Sequence, residues 1–256
     1  MRPFRVFLAV MSAAFLASLA SHAAAQWTFD PGFAPSLMGP VITDPCTGDR
    51  CTTAEERREA EAASRRTSPE QGQAARGLTA EQMIAQFDFS LSPERRTGNL
   101  ELFIAKRLPP QHPGVAELRK LHRAEQLFPA IDQSLSEQGL QSDNLADVYA
   151  LWWIYVWSAA EGHDADFVKA QAQAVRKQAG AALSGVPWLV DLNPAQKQLE
   201  ADTMLLEAFL LSQTMFAAES NPSMWPQLKS VARENALARG FDPKLIRLAQ
   251  SGFVPR

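Results

Sequence analysis

The chain is poor in the residues that most often build catalytic and metal sites. Its 256 residues include two cysteines and four histidines, and His112 and His122 stand apart from other metal-ligating side chains. The patterns G-x-S-x-G and H-E-x-x-H and a glycine-rich phosphate loop are all missing from the sequence. Those patterns are typical of serine hydrolases, zinc proteases and nucleotide-binding proteins. The sequence therefore predicts no metal ion and no cofactor.

An excess of positive charge is also missing. The chain has 25 basic and 28 acidic residues and a formal net charge of −3. Nucleic acids and anionic membranes attract strongly basic proteins. We therefore expect no nucleic-acid partner.

The N-terminus has the pattern of a secretory signal peptide. Arg2 and Arg5 precede a short apolar core at residues 6–20, and the alanines at 23–25 form a cleavage pattern. The alternative is an uncleaved anchor, but the core is shorter than the roughly 20 residues that a spanning helix needs. We predict that residues 1–25 are a cleaved signal and that the protein is periplasmic or secreted. After cleavage it should not be an integral membrane protein.

Both cysteines lie in one short polar segment. Cys46 and Cys51 are spaced C-x4-C, and two nearby cysteines in an oxidising compartment favour a disulfide bond. The alternatives are free thiols or redox chemistry, although redox sites prefer a C-x-x-C spacing. A metal site would need more ligands than this segment offers.

Residues 26–77 are predicted to form an N-terminal arm outside the globular domain. Residues 26–42 contain three prolines and two glycines, which exclude a long helix. Their aromatic residues favour an extended segment lying on the domain surface, with a docking peptide for a partner as the alternative. Residues 43–77 are polar and charged, which is typical of a linker with one solvated helix.

The most informative stretch is NLADVYALWWIYVWSAAEG, from Asn144 to Gly162. Every residue from Val148 to Trp157 is apolar or aromatic, so a helix here is apolar on all sides and must be covered on every face. Ten such residues are too few to cross a bilayer. This stretch therefore predicts the central, enclosed helix of a helical domain.

Caps and apolar spacing predict further helices around it. Ser92-Pro93 begins one helix, and another runs from about Asp164 to Leu183 with a narrow apolar stripe. Asn193-Pro194 begins the longest helix, whose middle, MLLEAFLL, is almost wholly apolar. A last long helix should end at Gly240, and no β-alternation of useful length appears. The predicted fold is an all-α bundle at residues 78–256 around a central Trp-rich helix, with an extended or disordered arm.

Several motifs together resemble an uncharacterised family of secreted Gram-negative bacterial proteins, a domain family of unknown function. They are SPERRTGNLELF, NLADVYALWWIYVW, QAQAVRKQA and the closing GFVP, and the resemblance covers about residues 87–255. Its most specific part is N-A-D-x-Y-A with two tryptophans (Asn144, Ala146, Asp147, Tyr149, Ala150, Trp153 and Trp157). The resemblance implies secretion and a helical fold, and it brings no catalytic residue.

Two carboxylates are the weak catalytic candidates. Asp147 lies in the first turn of the central helix beside aromatic residues, and Glu207 stands alone within an apolar helix. A partly buried carboxylate can have a raised pKa and act as a general acid, and two facing carboxylates would suit glycan hydrolysis. We favour structural roles, because buried carboxylates are usually paired. Asp147 would then cap the helix and Glu207 would pair with an arginine such as Arg95, Arg96 or Arg176.

Other polar and aromatic groups also admit two interpretations. The aromatic residues of the central helix (Tyr149, Trp152, Trp153, Tyr155 and Trp157) could line a ligand pocket, although such residues are more often core. The segment EGHDAD (Glu161 to Asp166) could hold a cation loosely, but it lacks calcium-loop spacing and more simply links two helices.

The function most consistent with these features is a non-catalytic binding or envelope-associated module. Its partner would be an envelope protein or a cell-wall component. One alternative is a helical glycan hydrolase or lyase using Asp147 or Glu207, and another is a small-molecule carrier with a Trp-lined pocket.

Overall fold

The computed structural model describes residues 77–108, 112–238 and 242–256. Within those ranges the chain forms nine α-helices and a two-stranded antiparallel hairpin, which confirms the predicted all-α class. The signal segment, the arm, the linker and the pair Cys46 and Cys51 lie outside the described residues. The elements are α1 (Ala80–Ala85), α2 (Pro93–Arg107), α3 (Pro113–Arg123), α4 (Leu127–Glu137), α5 (Leu145–Glu161), α6 (Lys169–Ser184), α7 (Pro187–Val190), α8 (Pro194–Ser220), α9 (Trp225–Ala238), β1 (Ile246–Ala249) and β2 (Gly252–Pro255).

Helix α5 is the centre of the bundle, as predicted. Its residues are buried along the whole length except for Trp153 and Glu161, and α6, α8 and α9 pack around it. Because it is apolar on every side, burial against three neighbours removes most of its surface from water. The second apolar helix, α8, is buried along most of its length in the same way.

The start of α5 is fixed by hydrogen bonds to α1 and to the segment that follows it. Asn144 is the N-cap, and its side-chain oxygen accepts from the amides of Ala146 at 2.9 Å and Asp147 at 3.1 Å. Its side-chain nitrogen donates to the carbonyl of Ile84 at 3.0 Å and to Asp88 at 2.6 Å. One nearly inaccessible side chain therefore satisfies the helix end and joins two elements.

One helix boundary differs from the sequence prediction. Helix α6 begins at Lys169 rather than near Asp164, because the polar side chains after Gly162 bond to nearby backbone and hold a loop. His163 Nδ1 lies 2.8 Å from the carbonyl of Asp164, whose carboxylate accepts from the amide of Ala165 at 2.9 Å.

The closing GFVP is a strand, which corrects the expectation that no β-structure would occur. After a 3-10 turn at Pro243–Leu245, β1 pairs with β2 in the register Ile246↔Pro255 to Ala249↔Gly252. Strands of four residues are too short to show a recognisable alternation. In the part of the chain that the structure covers, no helix combines the length and apolarity that a membrane crossing requires.

Alanine substitutions at two glycines should have opposite effects on the free energy of unfolding. Gly162 ends α5 at φ +85°, and an added Cβ would lie 2.6 Å from Lys229 Cδ. Gly162→Ala should lower the free energy of unfolding by about 1–2 kcal/mol, because L-residues resist the left-handed conformation. Gly98 lies inside α2 with open space around the added Cβ, so Gly98→Ala should raise it by about 0.5–1 kcal/mol. Urea unfolding measures both, and effects of equal sign would contradict this description of the backbone.

Candidate functional site

The candidate carboxylate Asp147 lies sealed at the start of α5. It is 1% exposed, forms an ion pair with Arg176 Nε from α6, and accepts from the amide of Gln141 at 2.9 Å. Arg176 also reaches the exposed carboxylate of Glu81 at 3.3 Å. The predicted capping role of Asp147 is wrong, because Asn144 caps α5 and Asp147 joins α5 to α6 through Arg176.

Burial raises the pKa of the Asp147 carboxyl above its ordinary value, and the adjacent Arg176 guanidinium partly opposes that rise. A raised pKa is one property of a general acid. The other property, access to a substrate, is not provided by a side chain with this exposure.

Glu207, the second candidate, lies within the core on α8. It is 3% exposed, and its Oε2 accepts a hydrogen bond from Trp152 Nε1 at 3.0 Å. The three arginines that the sequence offered as its partners bind elsewhere: Arg95 donates to Gln198 at 3.3 Å, and Arg96 and Arg176 pair with aspartates. Both carboxylates are therefore buried and bound to separate partners, Glu207 to an indole from α5 and Asp147 to a guanidinium from α6.

A buried charged cluster that sequence reasoning missed joins α2, α4 and α8. The guanidinium of Arg96 donates to both oxygens of Asp132, at 2.7 and 2.8 Å, and its Nε lies 3.5 Å from Asp202 Oδ1. Its carbon atom Cζ lies 4.6 Å from the centre of the Phe128 ring. We call these four residues the Arg96 cluster. It places one cation between two carboxylates and an aromatic face.

Asp202 is the innermost member of the Arg96 cluster. It has no exposed surface, and its Oδ2 accepts from Asn99 at 2.8 Å and from Gln198 at 3.4 Å. Burial raises its pKa to about 6, despite the opposing effects of the Asn99 hydrogen bond and the Arg96 charge. The spacing of Gln198 and Asp202, four residues apart on a helix, is the one local sign that α8 carries a polar stripe.

The raised pKa of Asp202 predicts a pH-dependent stability. Folding raises the pKa of the Asp202 carboxyl from its ordinary 3.8 to about 6. The folded protein therefore binds this proton more tightly, and the contribution of Asp202 to stability falls as pH rises from about 4 to about 6. Asp202→Asn removes that titration. Urea unfolding of both proteins from pH 4 to pH 7 should give a difference that changes by about 2–3 kcal/mol across this window. A constant difference would contradict the assignment.

The aromatic residues of α5 mostly belong to the core. Trp152 is inaccessible, Tyr149 and Tyr155 are nearly so, and Trp157 is 9% exposed. Burial raises the pKa of Tyr155. Only Trp153 is half-buried, and its ring meets Tyr149 at 4.8 Å and Phe253 of β2 at 6.4 Å between centroids.

An apolar recess lies between α4, α5 and α8, but the tryptophans do not line it. Its walls include Ile131, Leu151, Tyr155 and Phe209, and its volume of about 20 Å³ suits one water molecule rather than a metabolite.

The EGHDAD segment lies at the end of α5 and in the loop between α5 and α6, and its Glu161 pairs with Arg256. Within the described ranges, no three His, Cys, Asp or Glu side chains come together as metal ligands.

Fold and site together describe an all-α protein with an enclosed aromatic helix and buried ion pairs that join helices. The chain belongs to a family of unknown function (DUF6683), which it matches over residues 5–256. Membership of an uncharacterised family is therefore confirmed, and the match extends beyond residues 87–255 into the N-terminal arm. No curated protein and no solved structure matches the chain.

Proposed function

We propose that the mature chain is an exported, non-catalytic binding protein of the cell envelope, with an envelope protein or a cell-wall component as its partner. The observation that carries this proposal is that both candidate catalytic carboxylates are buried and bound to other side chains or to the backbone. Asp147 is committed to Arg176 and Gln141, and Glu207 to Trp152. Carboxylates held in this way join helices and are not presented to a substrate.

The arm supports a binding role from the sequence side. Residues 26–42 contain three prolines together with Trp27, Phe29 and Phe33, and proline-rich extended segments are one class of peptide that docks on a partner. The positively charged and apolar start of the chain supports export. The recess at α4, α5 and α8 gives little support to a carrier function, because it is too small for a metabolite.

Capture from envelope extracts tests the proposal. Immobilised mature chain should retain a partner that a chain lacking residues 26–77 loses, and Asp147→Asn and Glu207→Gln should each retain it when circular dichroism shows that they fold. In the exporting host, the mass of the purified protein should match a chain that begins at Gln26.

The competing enzymatic hypothesis has a distinct outcome. Turnover of cell-wall glycan by the parent protein, abolished by Asp147→Asn or Glu207→Gln without loss of fold, would contradict a non-catalytic role. Retention of every partner by the arm-less chain would remove the arm from the binding surface.

A further inference from the structure

The C-terminal strand β2 lies on α6 in the manner of a bound peptide. The side-chain amide of Gln178 accepts from the Phe253 amide at 2.9 Å and donates to the Phe253 carbonyl at 2.8 Å. One glutamine thus satisfies both backbone groups of one residue, as a neighbouring strand would. Such a contact recognises an extended backbone whatever its side chain.

The Phe253 side chain provides the specific part of the contact. Its ring meets Trp153 at 6.4 Å and Trp157 at 5.9 Å between centroids, at steep interplanar angles. Edge-to-face contacts of this kind are favourable for aromatic pairs. We call the surface formed by Trp153, Trp157 and Gln178 the aromatic groove.

Two neighbouring positions of the strand have their own requirements. Gly252 has φ +94°, and a Cβ there would lie 2.5 Å from Gln178 Oε1, so only glycine fits. Pro255 is two residues beyond Phe253, and alternate residues of a strand direct their backbone groups to the same side. Its nitrogen therefore faces away from β1. Because proline has no N–H group, no backbone donor is left without a partner at this position. The site thus requires glycine, binds the phenylalanine ring and accepts proline, and the pattern Gly-Phe-x-Pro meets all three conditions.

The same pattern occurs in the arm as Gly32-Phe33-Ala34-Pro35. Glycine, phenylalanine and proline number 13, 14 and 17 among 256 residues, so chance recurrence of this pattern is rare. The pattern also occurs at residues 240–243. There Pro243 is buried and Asp242 caps the turn before β1 through the Lys244 amide at 2.9 Å, so the proline of that copy is already part of the fold. The arm copy has Ala34 where β2 has Val254, so both third positions are apolar.

We propose that Gly32–Pro35 is a second ligand of the aromatic groove in the same chain and exchanges with Gly252–Pro255. Roughly 40 residues separate Pro35 from Gly77, and extended chain of that length reaches about 130–140 Å, which is several times the radius of a domain of this size. The arm can therefore reach the groove. When it does, β2 is released together with its partner strand β1.

The residue after the proline makes the C-terminal segment the stronger of the two ligands. After Pro255, Arg256 pairs with Glu161 and donates to the Ile246 carbonyl at 2.8 Å. The arm has Ser36 at the matching position and lacks that ion pair. The C-terminal copy is therefore the resident ligand, and the arm copy takes the groove when the resident is weakened.

Hydrogen exchange by mass spectrometry on the full mature chain tests this exchange. In Phe253→Ala, amides around Phe33 should exchange about tenfold more slowly than in Phe253→Ala/Gln178→Ala, where the groove cannot hold a backbone. Adding Phe33→Ala to Phe253→Ala should abolish the protection, whereas the matched control Phe29→Ala should preserve it. Arg256→Ala, a change at an exposed residue, provides the same test if Phe253→Ala does not fold.

Two results would overturn the proposal. Equal exchange at Phe33 in all of these chains would show that the arm does not enter the groove. Protection that weakens on tenfold dilution would assign the arm ligand to a second copy rather than to the same chain. Neither result depends on export or on an envelope partner, so the proposed function stands or falls separately.

Discussion

Replacing Arg96 with alanine should lower the free energy of unfolding by about 3–5 kcal/mol, the largest effect expected of a single charged side chain here. Asp202 has no exposed surface and Asp132 is partly covered. Removing the guanidinium therefore leaves a buried carboxylate without its cation, and the ring of Phe128 loses a packing partner. Urea unfolding at pH 7 measures the loss.

The neighbour Arg95 provides the matched control. It is exposed and makes one side-chain contact, to Gln198 at 3.3 Å, so Arg95→Ala should cost less than about 1 kcal/mol. The double variant Arg96→Ala/Asp202→Asn should be more stable than Arg96→Ala, because the uncompensated charge is gone. If Arg96→Ala lowers the free energy of unfolding by the same amount in the parent protein and in Asp202→Asn, then Arg96 acts through packing alone.

Replacing Trp152 with alanine should cost about 3–5 kcal/mol for a different reason. The indole is inaccessible at the centre of α5, so truncation leaves a cavity between α5 and α8 that the surrounding helices cannot fill. Thermal and urea unfolding should both show the loss.

Trp152→Phe separates packing from hydrogen bonding. It keeps most of the ring volume but removes the N–H that donates to Glu207 at 3.0 Å, so we expect a cost of about 1–3 kcal/mol. Trp188→Ala, at a half-buried tryptophan within α7, should cost less than Trp152→Ala. The reverse order would contradict the placement of Trp152 at the centre.

The central helix could be predicted from sequence because its signals are local. An apolar stretch, an asparagine before it and a glycine after it lie within 19 consecutive positions, and in the structure Asn144 caps the start of the helix and Gly162 ends it. The second apolar helix was predicted for the same reason, since Asn193-Pro194 marks its start and its middle is apolar on all sides.

The ion pairs could not be predicted because they depend on how distant helices meet. Arg96 and Asp202 are more than a hundred positions apart, and the local pattern around each, including the spacing of Gln198 and Asp202, fits a solvated helix face equally well. The strand at residues 252–255 was missed for a related reason. Its stability comes from Gln178 and from the two tryptophans of α5 rather than from its own sequence pattern.

Native-state hydrogen exchange across α5 tests most directly whether this helix is the enclosed centre of the fold. If α6, α8 and α9 cover it, the amides of residues 148–160 should exchange only through global unfolding, with the same free energy that urea unfolding gives. Exchange of these amides several orders of magnitude faster, with a free energy well below the global value, would mean that α5 opens on its own and would contradict the account.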